Sequence, residues 1–184
     1  MIPADRERTW GPIRYRRAPT PSDPEAIELL DRRWLREHTV AVRVPQLARV
    51  PRYSLASDWA ATAWLDHASD RVRWDLRTAH QMIALWAAWE RAGLLDRVLS
   101  YDGDYCARLA RGTTELSSHA YGIALDICAR WNRLGADPAA LGATGCVREL
   151  VPLAEAHGFA WGGAFAGRPD GMHFEIARMI EGPL

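Results

Sequence analysis

Two short segments of the chain, residues 122–127 and 172–177, alternate between apolar side chains and small or polar ones. A period of two is typical of a β-strand that buries one face in the core. The other face of the first segment carries Asp126, and that of the second carries His173 and Glu175. The two segments therefore predict a sheet with one face in the core and one open face that bears acids and a histidine.

The longest helix is predicted over residues 75–92, where apolar side chains recur every three or four positions and Gly93 follows as a C-cap glycine. A second helix is predicted over residues 147–154 and ends before Gly158. Pro152 lies inside this pattern, so it either kinks the helix or marks a late start.

The first third of the chain adds two shorter elements. Asp23-Pro24 predicts an N-cap and first turn for a short helix over residues 24–34. Alternating valines predict a strand over residues 40–44, which Pro45 ends. Together these patterns indicate an α+β fold, in which helices pack on one side of a small antiparallel sheet.

The length of 184 residues suits one domain, which we place at residues 24–184 after an irregular N-terminal arm, residues 1–23. The 23 basic and 23 acidic side chains give a formal net charge of zero, which argues against a nucleic-acid-binding protein. All the basic residues are arginine, so chemistry that needs a lysine is excluded.

Membrane insertion and disulfide bonding are not expected. No stretch approaches the ~20 apolar residues of a membrane span, and the N-terminus has no apolar signal region. The three cysteines, Cys106, Cys128 and Cys146, are widely spaced, which argues against a disulfide framework and against a cysteine-built zinc site.

Two of the six histidines have neighbours that suggest chemistry. His119 precedes Asp126 by seven residues, so the two side chains can share a metal ion only if the chain turns between them, and Gly122 is well placed for that turn. Without the turn, Asp126 is only an acid beside small side chains. The remaining histidines are interpreted as structural: His38, His67, His80 and His157.

The second group consists of Asp170 and His173, three residues apart at the entrance to a predicted strand. Two histidines and one carboxylate are a ligand set that catalytic zinc uses, with a fourth position left for water. A further carboxylate can take the proton of that water as it attacks, a role that suits Asp170. The alternative is that Asp170 only caps a turn.

The two groups together form a pattern that resembles a known family. Ser117-x-His119-x-x-Gly122-x-Ala124-x-Asp126, followed about 45 residues later by Asp170-x-x-His173, is similar to the VanY-like zinc D-alanyl-D-alanine carboxypeptidases and L-alanyl-D-glutamate endopeptidases, peptidase family M15. The similarity extends from about Trp89 to Ile176. It also includes Tyr105, Arg108, Arg111, Trp131-Asn132 and Trp161-Gly162-Gly163.

The resemblance implies a role for each matching residue. His119, Asp126 and His173 correspond to the zinc ligands, one ion per chain, and Asp170 corresponds to the general base. The family's zinc site then lies on the open face of the sheet.

The resemblance also implies roles next to the metal. Arg108 corresponds to the arginine that faces the zinc and stabilises the developing oxyanion, and a fixed guanidinium suits that task. Arg111 is the competing candidate for this role and is expected to contact substrate; the alternative is a surface or turn arginine. Ser117 either hydrogen-bonds substrate or orients the ligand segment.

This chain departs from the family at two positions. Several members carry histidine at the position of Ala164 and asparagine at the position of Cys128. The first change is expected to alter the wall of the cleft. The second places a thiol near Asp126, where it either competes for zinc or is buried and inert. Trp161 either forms a platform in the cleft or packs in the core.

The resemblance implies a monomeric zinc metallopeptidase that hydrolyses an amide bond in the peptidoglycan stem peptide at the cell wall. The motif is shared by enzymes that remove a terminal D-alanine and by enzymes that cut the L-Ala-D-Glu bond, so the bond remains open. Location remains open as well, because a chain without a leader is either exported by another route or released from the cytoplasm. The alternative from another class is a wall-binding module of the same fold that has lost catalysis.

Overall fold

Residues 6–51 and 70–182 are described by the structure, a computed structural model. In chain order its α-helices are α1 (Arg6–Trp10), α2 (Arg33–His38), α3 (Ala79–Arg91) and α4 (Val151–Ala156). Its strands are β1 (Tyr15–Arg17), β2 (Ile27–Leu29), β3 (Thr39–Arg43), β4 (Arg71–Asp75), β5 (Tyr101–Gly103), β6 (Ala124–Ile127), β7 (Phe159–Trp161) and β8 (His173–Ile176). Among these residues, no helix has both the length and the apolar character needed to cross a membrane.

The central sheet has four antiparallel strands in the order β5-β6-β8-β7. The two alternating segments of the sequence are its middle strands, β6 and β8. In their register Asp126 lies opposite His173, and Ala124 lies opposite Glu175. Because directly opposed side chains of an antiparallel pair lie on one face, this register brings the two acids and the histidine together.

The other face of the central sheet is covered by the longest helix. Leu125 and Phe174 of the middle strands are fully buried. The Trp89 ring of α3 meets the Phe174 ring edge-on at a centroid distance of 6.0 Å, and Trp89 Nε1 donates a hydrogen bond to the Leu150 carbonyl (3.1 Å). The ring contact packs α3 against the apolar face, opposite Asp126 and His173.

Two further antiparallel strand pairs, β1–β2 and β3–β4, lie outside the central sheet. The predicted α+β class and antiparallel pairing therefore agree with the structure, although the strands form three sheets rather than one. The valine-rich strand is observed as β3, and a 3-10 turn, Pro45–Arg49, follows it. Whether every helix packs on one side of a sheet remains a prediction.

The prediction of a short helix over residues 24–34 is wrong. Ile27–Leu29 forms a strand with Tyr15–Arg17, and helix begins only at Arg33. The Asp23 side chain accepts a hydrogen bond from the Glu25 backbone (3.3 Å), so it organises a turn before the strand. Pairing with β1 thus outweighs the local Asp-Pro signal.

The longest helix starts four residues later than predicted, at Ala79. Asp75 is the last residue of β4 and pairs with Thr39, and its carboxylate accepts a hydrogen bond from the Arg77 backbone (3.0 Å). The end is as predicted, because Gly93 has φ +70°. In the second predicted helix, Pro152 lies at the first turn of α4, which confirms the late start.

The N-terminal arm was predicted to be irregular, and this is wrong for its described part, which contains α1 and β1. Trp10 is only 1% exposed, the Arg77 guanidinium lies 4.7 Å from the centre of its ring, and Arg77 Nη1 donates a hydrogen bond to the Thr9 carbonyl (3.0 Å). Burial of the Trp10 ring therefore holds α1 against the rest of the chain. The division into residues 1–23 and 24–184 remains a prediction.

Candidate metal centre

Three side chains converge on the polar face of the central sheet. His119 Nε2 lies 3.2 Å from His173 Nδ1 and 3.3 Å from Asp126 Oδ2, and His173 Nδ1 lies 3.1 Å from Asp126 Oδ1. All three residues are buried, and their ligand atoms lie within 4.8 Å of one another. His119, Asp126 and His173 could therefore hold one metal ion.

The turn that this arrangement requires is present. His119 lies in a 3-10 turn, Ser118–Tyr121, that ends at Gly122 with φ +68° and ψ 36°. A Cβ on Gly122 would lie 3.3 Å from the backbone nitrogen of Asp75, which donates a hydrogen bond to the Gly122 carbonyl (2.7 Å). Both the positive φ and this close backbone contact favour glycine.

Hydrogen bonds fix which nitrogen of each histidine faces the site. His119 Nδ1 lies 2.6 Å from the Asp104 carbonyl oxygen, so it must carry the proton that this bond needs. His173 Nε2 lies 3.0 Å from Glu175 Oε2 and donates to it. A neutral His173 that donates from Nε2 to Glu175 has its lone pair on Nδ1, beside the lone pair of His119 Nε2 and the Asp126 carboxylate. In that protonation state the two lone pairs and the negative charge form a cation site, and this donor set suits zinc.

The sequence pattern places Glu175 on the polar face of the sheet, and the structure adds a role that the pattern does not predict. It is 1% exposed and accepts hydrogen bonds from His173 Nε2 and from the Ser118 hydroxyl. A carboxylate behind a ligating histidine orients the ring and raises its basicity. The spacing of two residues along a strand is the signal that predicts this contact with His173, whereas no sequence pattern predicts the contact with Ser118.

The pKa values of the centre show how strongly its groups are coupled without metal. Burial lowers the pKa of His173, but hydrogen bonds to Asp126 and Glu175 outweigh burial and raise it to about 10. Burial raises the pKa of Glu175, but the contacts with His173, Arg6 and Ser118 bring it down to about 2. Burial likewise opposes ionisation of Asp126, yet the two histidines hold its pKa well below the usual range. Both carboxylates are therefore ionised at neutral pH.

Asp170 lies beside the centre, at the start of the turn that leads into β8. Its Oδ1 is buried and has no hydrogen-bond partner among the described residues. Burial, and next the charge of Asp126, raise the pKa of Asp170. A Cβ on Gly162 would lie 2.5 Å from the Asp170 carbonyl oxygen and 3.1 Å from its Cβ, so only glycine fits against this turn. The structure thus holds an unsatisfied carboxylate oxygen in a fixed position next to the ligands.

Two residues of the family pattern contact the same turn. The Trp161 side chain donates a hydrogen bond from Nε1 to the Gly171 carbonyl (2.8 Å), and the Asn132 backbone carbonyl accepts one from the Met172 backbone (3.0 Å). The Asn132 side chain also bonds to the Cys128 carbonyl (3.0 Å). Trp161 is 8% exposed and lies among the core residues, which supports packing rather than a platform in the cleft.

A cleft of about 590 Å³ lies over the centre and is lined by residues from several segments. Arg108 is buried in its wall and Arg111 is exposed at its edge, so both predicted arginines line it. The positive charge of Arg108 also acts on Asp170, where it favours the ionised form. Ser117 lines the cleft too, and its Oγ accepts a hydrogen bond from the His119 backbone (3.3 Å), which makes it the N-cap of the ligand turn.

The positions at which this chain departs from the family lie away from the ligands. The Cys128 thiol contacts the Leu99 backbone nitrogen (3.3 Å) and the Arg97 carbonyl (3.4 Å), and burial raises its pKa. Its φ of +54° is a conformation that asparagine adopts more readily than other side chains. Ala164 is exposed and is not among the residues that line the cleft, although its neighbour Phe165 is.

The histidines interpreted as structural bond to backbone carbonyl groups. His38 Nδ1 bonds to Trp34 (2.9 Å), His80 Nε2 to Ile180 (2.8 Å) and His157 Nδ1 to Leu153 (2.7 Å). His67 lies outside the described residues.

Comparison with known proteins agrees with this geometry. A family model described as D-alanyl-D-alanine carboxypeptidase matches residues 111–176, a part of the chain that contains all three converging side chains and Asp170. Neither curated proteins nor solved structures give a significant match. The match confirms the resemblance seen in the sequence and supports the assignment of the chain to the M15 family of peptidases.

Proposed function

We propose that the protein is a zinc peptidase that hydrolyses an amide bond in the peptidoglycan stem peptide. The observation that carries the proposal is the convergence of His119, Asp126 and His173, with the unsatisfied carboxylate oxygen of Asp170 beside them. Among metals, zinc is favoured because two imidazoles and one carboxylate are its ligand set in hydrolytic enzymes.

A bound zinc ion would supply Lewis acidity, polarising the scissile carbonyl and making water acidic enough to attack at neutral pH. Asp170 accepts the proton of the attacking water on its buried oxygen and delivers it to the leaving amine. Arg108 donates hydrogen bonds to the carbonyl oxygen as negative charge develops there. Glu175 keeps the His173 ring in place during this cycle.

The character of the cleft supports an acidic peptide as substrate. Its walls include arginines from four separate segments of the chain: Arg6, Arg108 with Arg111, Arg133, and Arg168. A stem peptide carries free carboxylates, and guanidinium groups bind carboxylates through two parallel hydrogen bonds. This charge complementarity suits both a terminal D-alanine substrate and an L-Ala-D-Glu substrate, so both bonds remain within the proposal.

The experiment is a digest of purified peptidoglycan by the zinc-loaded protein, with the products identified by mass spectrometry. Release of one terminal alanine indicates a carboxypeptidase, and separation of the stem peptide from the glycan indicates an endopeptidase. His119→Ala and Asp170→Ala should abolish the products, whereas His157→Ala should not, because the His157 side chain bonds to the Leu153 carbonyl of its own helix. Full activity of either of the first two variants would contradict the mechanism, and bound zinc without cleavage of any wall peptide would indicate a binding module.

A further inference from the structure

The N-terminal arm reaches the metal centre through one side chain. Arg6 Nη2 lies 3.4 Å from each of the two carboxylate oxygens of Glu175, and Arg6 is among the residues that line the cleft. Glu175 in turn accepts the hydrogen bond from His173 Nε2. A residue 169 positions away in the chain thus contacts the carboxylate behind a metal ligand.

Glu175 needs this contact more than an exposed acid would. Its side chain is 1% exposed, and an ionised carboxylate so deeply buried is stable only when charge and hydrogen bonds compensate it. Two of its partners, His173 and Ser118, are formally neutral donors when His173 carries a metal. Arg6 is the partner that brings a full positive charge, and its side chain is only 25% exposed, so solvent screens the pair weakly.

The position of Arg6 is held by the fold. It is the first residue of α1, and α1 ends at Trp10, whose ring is buried under the Arg77 guanidinium. The chain then enters strand β1, which pairs with β2. The arm therefore presents Arg6 to the centre from an anchored helix.

We infer that Arg6 is a positioning residue for the metal centre: it holds the Glu175 carboxylate, which keeps the His173 ring turned with Nδ1 toward His119 and Asp126. The inference rests on the proposed zinc site. Its consequence is that the segment before residue 24, which the family pattern does not reach, forms part of the metal-binding machinery of this chain.

The experiment compares zinc dissociation constants, measured by competition with a chromophoric chelator, in the full chain. Arg6→Ala should weaken zinc binding about ten-fold, the lower end of the range for outer-shell partners. Arg6→Lys should restore most of the loss, because it keeps the charge. Arg14→Ala is the matched control from the same arm, since Arg14 is exposed, and it should bind zinc as the wild type does.

A double-mutant cycle separates positioning from a general structural role. In a Glu175→Gln background, which itself weakens binding, Arg6→Ala should cause no further loss, because the carboxylate through which it acts is gone. Two results would overturn the inference. One is that Arg6→Ala weakens zinc binding as much in the Glu175→Gln background as in the wild type, and the other is that Arg6→Ala alone leaves the zinc affinity unchanged. If Glu175→Gln does not fold, Arg6→Lys provides the test. An Arg6→Lys variant that binds zinc as weakly as Arg6→Ala would overturn the inference. A wild-type chain that binds no zinc would instead overturn the metal centre itself.

Discussion

Asp126 and His173 lie directly opposite each other on two antiparallel strands, and Asp126 Oδ1 is 3.1 Å from His173 Nδ1. The hydrogen-bond register of the sheet therefore sets the distance between two of the three candidate ligands, although 47 positions separate them in the chain. The third candidate ligand, His119, depends on a turn that ends at Gly122. The centre thus combines two candidate ligands on paired strands with one on a turn. Substitutions in the strands or in the turn should therefore both change the zinc affinity.

Removal of a candidate ligand should weaken zinc binding more than removal of an outer-shell residue that orients it. His119→Ala and His173→Ala should each weaken binding by more than the roughly 10- to 100-fold expected for loss of an outer-shell partner. Isothermal titration of the metal-free protein measures this directly. His157→Ala serves as the control and should leave the affinity unchanged; equal zinc binding by His119→Ala and this control would contradict the ligand assignment.

Asp170 is predicted to act on protons and not to hold the metal. Asp170→Asn keeps the size of the side chain but removes the base, so hydrolysis should fall by about 10²- to 10⁴-fold while the zinc content stays at one ion per chain. Turnover of a stem peptide and metal analysis of the same sample give both numbers. Loss of zinc in this variant would show that Asp170 is a ligand, and an unchanged rate would show that it is not the base.

Arg108 and Arg111 are two of the arginines that line the cleft, and their substitution should change different kinetic parameters. Arg108 is buried in the cleft wall, so Arg108→Ala should lower kcat by about 10²-fold or more, as expected when a donor to the oxyanion is lost. Arg111 is exposed at the edge, so Arg111→Ala should mainly raise KM. Steady-state kinetics on one stem peptide decide between them, and the reverse pattern would assign the oxyanion to Arg111.

Gly162 should be essential for the position of Asp170. A Cβ at this position would lie 2.5 Å from the Asp170 carbonyl oxygen, so Gly162→Ala should displace the turn and reduce hydrolysis. Gly167→Ala is the matched control: its φ of +77° costs conformational strain of about 1 kcal/mol, but no atom lies within 4 Å of the added methyl group. Equal activity of the two variants would contradict the packing argument.

The cysteines should be inert in the folded protein. All three are buried, and burial raises the pKa of the Cys106 thiol to about 12, so at pH 8 it remains protonated and unreactive. A thiol reagent at pH 8 should modify none of the three cysteines before unfolding and all three afterwards.

The raised pKa of the Cys106 thiol also predicts how the stability of the fold depends on pH. Because the folded thiol keeps its proton at a pH where the unfolded thiol has lost it, the free energy of unfolding should fall as pH rises from about 9 toward 12.

Strand faces and turns can be predicted from the sequence, because they depend on the local spacing of residues. Alternation along β6 and β8 places Asp126 and Glu175 on one face, and a glycine between His119 and Asp126 signals the turn. The sequence does not reveal contacts that need the whole fold, such as the Ser118 hydroxyl or the Arg6 guanidinium on Glu175. The Asp-Pro signal also predicts a helix after Asp23, whereas this segment pairs as β2 with β1, because a local capping signal does not reveal strand pairing.

The most direct test of the metal centre is the anomalous scattering of a zinc-soaked crystal, recorded at the zinc absorption edge. We expect one peak per chain, about 2 Å from His119 Nε2, His173 Nδ1 and a carboxylate oxygen of Asp126. Glu175 should remain behind His173 and Asp170 should remain outside the ligand set. Zinc bound elsewhere on the chain, or the absence of a peak between these three side chains in a crystal soaked to saturation, would contradict the proposed metal centre.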